Sequence, residues 1–168
     1  MKTMRAVLVF FLLLGLSTIT PAQWAPQAAD FSAVSMHGDQ VNLSSLRGKV
    51  VLLTFWSSRC AICQNEIPKL NHLTGEYSGN DVVFLAATTE NESIVTSYLR
   101  HQRFNFQILP NSFGLMLKYA KPDASGRVQI AYPAYYLIDR RGRIQYQDYG
   151  WDKSKPITEA IEKALLGR

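Results

Sequence analysis

Cys60 and Cys63 are the two cysteines of the chain and share one four-residue window, Cys60-Ala61-Ile62-Cys63. A dithiol at that spacing has three uses: a redox-active disulfide, a structural crosslink, or half of a zinc site. A crosslink closing about four residues stabilises by only about 2 kcal/mol on the chain-entropy estimate, against about 3 kcal/mol for a fifteen-residue loop. A chain of 168 residues is long enough to bury a core without it. Tetrahedral zinc needs a second pair of ligands, and none stands at suitable spacing; His37, His72 and His101 are scattered and read as surface residues. The motif therefore points to redox chemistry.

The flanking residues say how the sulfurs are held. Val50 to Phe55 is short and apolar on both alternating sets, the pattern of a strand buried on two faces. After the motif, Ile67, Leu70 and Leu73 recur at helical spacing, which puts Cys60 at a strand-to-helix turn near the helix N-terminus. Free backbone N–H groups and the helix dipole stabilise a thiolate there, lowering a cysteine pKa from about 8.5 into the range of roughly 3.5 to 7.5. Cys60 is then the attacking thiol, and Cys63, deeper in the first turn, the resolving one. Glu66 follows Cys63 by three residues on the same helical face, within reach to accept or return a proton, although a helix-surface Glu is ordinarily just solvated. Trp56 reads as a shielding aromatic at the site or as core. Pro68 is expected to kink or divide the helix.

The remaining elements follow in order. Phe31–Val34 and Gln40–Leu43 form a hairpin signal, and Ser44 to Lys49 a helical turn ended by Gly48. Asp81–Ala87 is a buried strand; Thr89 to Glu92 fits a capping box for a helix over Glu90–His101. Phe104–Leu109 is extended, Ser112–Tyr119 a short helix and Lys121–Gly126 a polar loop. Tyr135–Asp139 and Ile144–Tyr149 pair through the turn at Arg140-Arg141-Gly142. Ser154 caps a last helix, with Pro156 in its first turn and Gly167 at its end. The order predicts an α/β domain with a central mixed sheet and helices on both faces.

Lys2 and Arg5, the apolar block Ala6–Leu16 and the small residues before Ala22 have the order of a secretory signal, shorter than the roughly 20 residues of a membrane span. Residues 1–22 are thus read as a signal peptide or an uncleaved anchor, 23–29 as a linker and 30–168 as the domain. Removing the signal takes two of the 18 basic residues and none of the 13 acidic ones, lowering the formal charge from +5 to +3. What is left is scattered apart from the solvated turn at Arg140–Arg143, so no nucleic-acid partner is indicated.

Several motifs together resemble one known family. Asp30-Phe31, Gly38, Val41, Leu43 and Leu46-Arg47-Gly48-Lys49-Val50-Val51 look like the N-terminal hairpin and first core strand of the thioredoxin-like thiol-disulfide oxidoreductases of the TlpA/ResA type. Phe55-Trp56, Cys60, Cys63, Glu66, Pro68 and Leu70 fall on that family's active-site signature, and Pro133 with Leu137-Ile138-Asp139 and Gly142 on its cis-proline strand. The resemblance covers roughly residues 30–166. It implies a thioredoxin-like fold with an N-terminal β-hairpin extension, and disulfide exchange through a redox-active Cys60–Cys63 pair with Glu66 as an active-site residue. It also implies a substrate groove at Trp56, Tyr132 and Pro133, where the Tyr132 backbone beside a cis Pro133 forms an edge for an extended substrate. Its partners would be protein thiols and disulfides and a membrane electron-donor protein, in the periplasm or cell envelope, with no metal and no dissociable cofactor. The chain departs from the family at Arg59, usually Trp, at Ala61-Ile62, where the second residue is commonly Pro, at Tyr132, usually smaller, and in a longer Lys121–Val128 loop. The cysteine pair admits two other readings. A peroxiredoxin-like thiol peroxidase lacks its Pro-x-x-x-Thr/Ser-x-x-Cys pattern, since Leu53 and Trp56 stand where the proline belongs; a dithiol metal or haem-ligand binding module would bind without disulfide turnover.

Overall fold

The computed structural model describes residues 25–79, 81–122 and 124–167. The expected signal segment, residues 1–22, lies outside them. Among the described residues, no helix is long and apolar enough to cross a membrane. The chain runs β1 (Ser32–Val34), β2 (Gln40–Asn42), a 3₁₀ turn (Leu43–Leu46), β3 (Val50–Phe55), α1 (Ala61–Glu76), β4 (Val82–Ala87), α2 (Glu92–Leu99) and β5 (Gln107–Leu109). It continues through α3 (Phe113–Tyr119), β6 (Lys121–Pro122), β7 (Val128–Gln129), β8 (Ala134–Ile138), β9 (Ile144–Tyr149) and α4 (Ser154–Leu165).

Five strands form the central sheet in the order β5-β4-β3-β8-β9. β3, β4 and β5 are parallel, whereas β8 pairs antiparallel with β3 and with β9. All six residues of β3 are buried, as its unbroken apolar pattern requires, because both faces are covered. On one face Val50, Leu52 and Trp56 meet Ile67, Leu70 and Leu73 of α1, Val95 of α2, and Ile157 and Ile161 of α4. On the other, Val51, Leu53 and Phe55 meet Val41 of β2, Leu43 of the 3₁₀ turn, and Leu115 and Tyr119 of α3. Each such fully buried aliphatic side chain stabilises the fold by about 1.5–3 kcal/mol.

Several local expectations are revised. α1 runs unbroken through Pro68, an exposed residue whose neighbours Ile67 and Leu70 are anchored in the core; packing of that apolar face outweighs the missing backbone bond. α2 starts later than the capping-box pattern suggests, with Asn91 as N-cap, its Oδ1 accepting the Ile94 N–H at 3.0 Å. Lys121–Gly126 is not merely a loop, since Lys121–Pro122 pairs with Val128–Gln129. Ser154 is the first residue of α4, not its cap. The stretch expected as a linker is docked at its C-terminal part. Gln27 bridges to Arg143, the Ala28 N–H bonds to the Gly142 carbonyl at 2.9 Å, and Ala28 is buried.

β8 is an interior strand, although a proline at a strand start ordinarily marks an open sheet edge. Pro133 is compatible with that position because it precedes Ala134, the first residue paired to β3, and so removes no ladder bond. The turn after β8 is organised by Asp139. Its carboxylate accepts the Arg141 and Arg143 N–H groups at 2.8 and 2.9 Å, the Arg143 Nε–H at 2.9 Å and the Gln145 amide at 2.7 Å. Gly142 adopts φ +78° in this turn, where a Cβ would also strike the Arg47 guanidinium.

Candidate redox site

Trp56 carries the ladder one bond past β3, its N–H reaching the Ala87 carbonyl at 3.1 Å, and the chain then turns into α1. Cys60 is the N-cap, with extended backbone at φ −86° and ψ 106°. Its Sγ accepts the Cys63 N–H at 3.1 Å, one of the four donors that a helix start leaves free. The same contact and the helix dipole would stabilise a Cys60 thiolate in the reduced protein. Cys60 and Cys63 are joined as a disulfide, Cα atoms 5.2 Å apart. Cys63 is 1% exposed and Cys60 half-buried, so of the two residues only Cys60 is open to solvent.

The turn that presents Cys60 is fastened from β4's side. Glu90 accepts hydrogen bonds from Ser57 Oγ at 2.8 Å, the Ser58 N–H at 3.0 Å and Ser58 Oγ at 2.9 Å. Within the turn, the Cys60 N–H bonds to the Ser57 carbonyl at 3.1 Å, and Gln64 Nε2 to the Ser58 carbonyl at 2.6 Å. The Glu90 carboxylate thus occupies the donors of the segment from which Cys60 hangs. Ser57, Ser58 and Glu90 were not singled out from the sequence. The usable signal was the parallel pairing of β3 and β4, which brings the residues after Phe55 and after Ala87 side by side.

The Tyr132–Pro133 peptide is cis, as expected. Phe55 pairs with Ala134, so Pro133 lies opposite Trp56, beside the start of the Cys60 turn. Its carbonyl accepts the Gly150 N–H at 2.8 Å, tying the segment after β9 to the same place. Among the described residues, neither the N–H nor the carbonyl of Tyr132 has a hydrogen-bond partner. The Tyr132 hydroxyl donates to Met116 Sδ at 3.0 Å, and burial, opposed by a hydrogen bond with Thr89 and helped by the Glu90 charge, pushes its ionisation above the ordinary tyrosine value.

Glu66 is not the solvated helix residue that its sequence neighbourhood suggests: it is wholly buried. Its Oε1 accepts from Lys69 Nζ at 2.9 Å and its Oε2 faces the Lys153 N–H at 3.4 Å. Lys69 also bonds Asp152 at 3.1 Å and lies over the Trp151 ring, 4.8 Å from its centroid. The Tyr135 hydroxyl is buried with no partner among the described residues; burial pushes its ionisation far up, and the Glu66 charge adds to that. Cys60, Cys63, Pro133, Tyr132 and Glu66 all gather around the start of α1. Trp56 does not join them as a substrate-facing residue. At 1% exposure it is sealed between Tyr98 and Phe104, ring centroids 5.2 Å away in each case, and forms the floor beneath the site.

The sequence matches the AhpC/TSA family over residues 25–147. It is 32% identical over 142 residues to the thiol-disulfide oxidoreductase ResA of Halalkalibacterium halodurans, covering 84% of this chain and 77% of that one. It is 28% identical over 143 residues to the thioredoxin-like protein YneN of Bacillus subtilis, covering 83% and 79%. Among solved structures, a thiol:disulfide interchange protein of the thioredoxin family from Chlorobium tepidum superposes with a TM-score of 0.72 at 20% identity, over 84% of this chain and 97% of that one. That likeness shows the thioredoxin-like fold.

Proposed function

Because the chain belongs to the AhpC/TSA family and holds a half-exposed cysteine disulfide-bonded to a buried one at a helix start, we propose that it is an exported thiol-disulfide oxidoreductase acting on protein thiols. The observation that carries this reading is the asymmetry of the pair: Cys60, the N-cap, is reachable, while Cys63 lies beneath it. Relatives of similar length that bear the name thiol-disulfide oxidoreductase support the reaction class.

Written for the reducing direction, the Cys60 thiolate attacks one sulfur of a substrate disulfide. The S–S bond breaks, the second substrate sulfur leaves as a thiolate, and Cys60 is held in a mixed disulfide. Cys63 gives its proton to the Glu66 carboxylate and attacks Cys60 Sγ, releasing the first substrate sulfur as a thiolate and forming the Cys60–Cys63 disulfide. Two electrons have passed to the substrate, and its two thiolates take up protons from solvent and Glu66. The oxidising direction is the same path reversed. The protein disulfide carries the electrons, so no dissociable cofactor enters.

The Tyr132 backbone, free of internal partners, suits an extended substrate segment added alongside Cys60. Tyr132, restrained by Met116, narrows that groove. The export-signal composition of residues 1–22 supports a reaction in the periplasm or cell envelope, and the resemblance to TlpA/ResA-type proteins supports a membrane protein as electron donor. Substitution of Cys63 by Ser tests the reading. In the native host, Cys63→Ser should accumulate mixed disulfides with exported proteins through Cys60, reversible by dithiothreitol. Capture of nothing, with the reduced wild type failing to reduce protein disulfides, overturns it.

A further inference from the structure

A carboxylate taken wholly out of water is driven to its neutral form unless a cation or several donors compensate. The proposed mechanism needs Glu66 charged, since only a carboxylate can take the proton of Cys63. The groups facing it decide whether it is. From α1 come Cys63 one turn before and Lys69 one turn after; β8 contributes the neutral hydroxyl of Tyr135, which feels the Glu66 charge and, beyond it, Tyr146 and Asp148 of β9. Lys153 offers Glu66 only its backbone N–H, its ammonium being bonded to Asp148 at 3.0 Å. Lys69 is therefore the one cation in contact with the Glu66 carboxylate among the described residues, at 2.9 Å.

Lys69 is itself held in place. Asp152 binds its ammonium at 3.1 Å, and the Trp151 ring lies 4.8 Å beneath it. Those two residues belong to a short strap, residues 150–153, fixed at one end by the Gly150 N–H on the Pro133 carbonyl and at the other by the start of α4. Asp152 takes φ +57° to make this turn. The hydrogen bond from Lys69 to Glu66 and then that to Asp152 raise the lysine's own titration above its ordinary value, so it remains charged throughout the physiological range.

Resting on the reading of Glu66 as the proton-handling group, we infer that Lys69 is a positioning residue that keeps the buried Glu66 carboxylate in its charged, proton-accepting form and returns it to that form after each turnover. In the resolving step, the Cys63 proton passes to Glu66 as Cys63 Sγ displaces the substrate sulfur from Cys60. The half-exposed ammonium, bonded to the carboxylate, favours that proton's departure. Lys69 stands three residues after Glu66 on α1, the spacing that brings the two side chains together on one helical face.

The test is single-turnover oxidation of the reduced full-length protein by glutathione disulfide, at concentrations where the rate no longer rises with concentration and the intramolecular step is read. Rates are taken from pH 4.5 to 9 for wild type, Lys69→Met, Lys69→Arg, Glu66→Gln and the Lys69→Met/Glu66→Gln pair. Loss of one adjacent opposite charge should move the midpoint of the acid limb upward by about one pH unit in Lys69→Met. Lys69→Arg should restore the wild-type midpoint, and the double variant should coincide with Glu66→Gln alone. A Lys69→Met profile superimposed on wild type overturns the inference, as does a shift that persists in the Glu66→Gln background. A Glu66→Gln profile equal to wild type removes Glu66 from the mechanism and the inference with it. Absence of exchange in the wild-type protein strikes the oxidoreductase reading itself.

Discussion

Removing the Glu90 carboxylate should loosen the turn that presents Cys60, by an amount the geometry bounds. Three donors converge on Glu90, the Ser57 and Ser58 hydroxyls and the Ser58 N–H, at 2.8, 2.9 and 3.0 Å. Hydrogen bonds to a charged group contribute about 1.5–3 kcal/mol each when buried. Glu90 is only partly buried, so in Glu90→Ala water recovers the two hydroxyls and much of the amide, leaving a net loss of about 2 kcal/mol. With an m value of about 2 kcal/mol/M for a domain of this size, the urea midpoint should fall by about 1 M. Buried Trp56, at the foot of the turn, supplies a fluorescence signal for that transition. In a Ser57→Ala/Ser58→Ala background, two of the three donors are already gone, and the same substitution should cost about a third as much. Amide exchange at Ser58 should accelerate in Glu90→Ala, and disulfide exchange should slow about tenfold, because the Cys60 N–H hangs from the Ser57 carbonyl. A loss below about 0.5 kcal/mol, or an equal loss in both backgrounds, would refute the clamp.

In the reduced protein, alkylation between pH 5 and 9 should modify Cys60 well before Cys63; equal rates at the two sulfurs would contradict their assigned roles. Burial alone would raise the Asp139 titration, but the bonds from Arg143, then Gln145 and Arg141, prevail and hold it below the ordinary carboxylate value. Its contribution is therefore present above the unfolded value of about 3.9 and lost as pH falls through the lower folded one. Asp139→Asn should cost about 2 kcal/mol at neutral pH by urea unfolding, a gap that closes as the wild type is acidified below about pH 4. Tyr132→Thr should speed exchange with bulky protein disulfides while leaving glutathione disulfide nearly unaffected; equal changes for both would show that Tyr132 does not set the groove width.

The parts of this molecule legible in sequence are those fixed by short-range pattern. Val50–Phe55, short and apolar on both alternating sets, reads as a strand covered on both faces, and the helical spacing of Ile67, Leu70 and Leu73 puts the cysteines at a helix start. What escaped depends on residues distant in the chain. The burial of Glu66 is completed by Lys153, 87 positions away, and Glu90 is drawn 32 positions back to Ser58. That second contact also explains the misread start of α2. Thr89 to Glu92 has the local form of a capping box, but with Glu90 turned toward the Cys60 loop the cap falls to Asn91. For Pro133 the edge-strand rule was sound physics applied one residue too far, because the proline sits just outside the β3–β8 ladder.

Sheet topology explains why these groups meet and why the two carboxylates of the site behave differently. β3 and β4 are parallel, so the Cys60 turn and Glu90 leave the sheet at the same end; β8, running the other way, begins there with Pro133, and β9 finishes there at the strap. A carboxylate has about four lone-pair positions. Three of those on Glu90 accept from donors of one rigid turn, so taking up a proton there would break bonds that hold Cys60, and the group serves as a fastening. Glu66 accepts one close bond, from Lys69 at 2.9 Å, and one distant amide at 3.4 Å, and neither belongs to the turn that presents Cys60. In the mechanism proposed above, proton traffic thus falls to the buried carboxylate and mechanical support to the more exposed one, the reverse of what exposure alone would suggest.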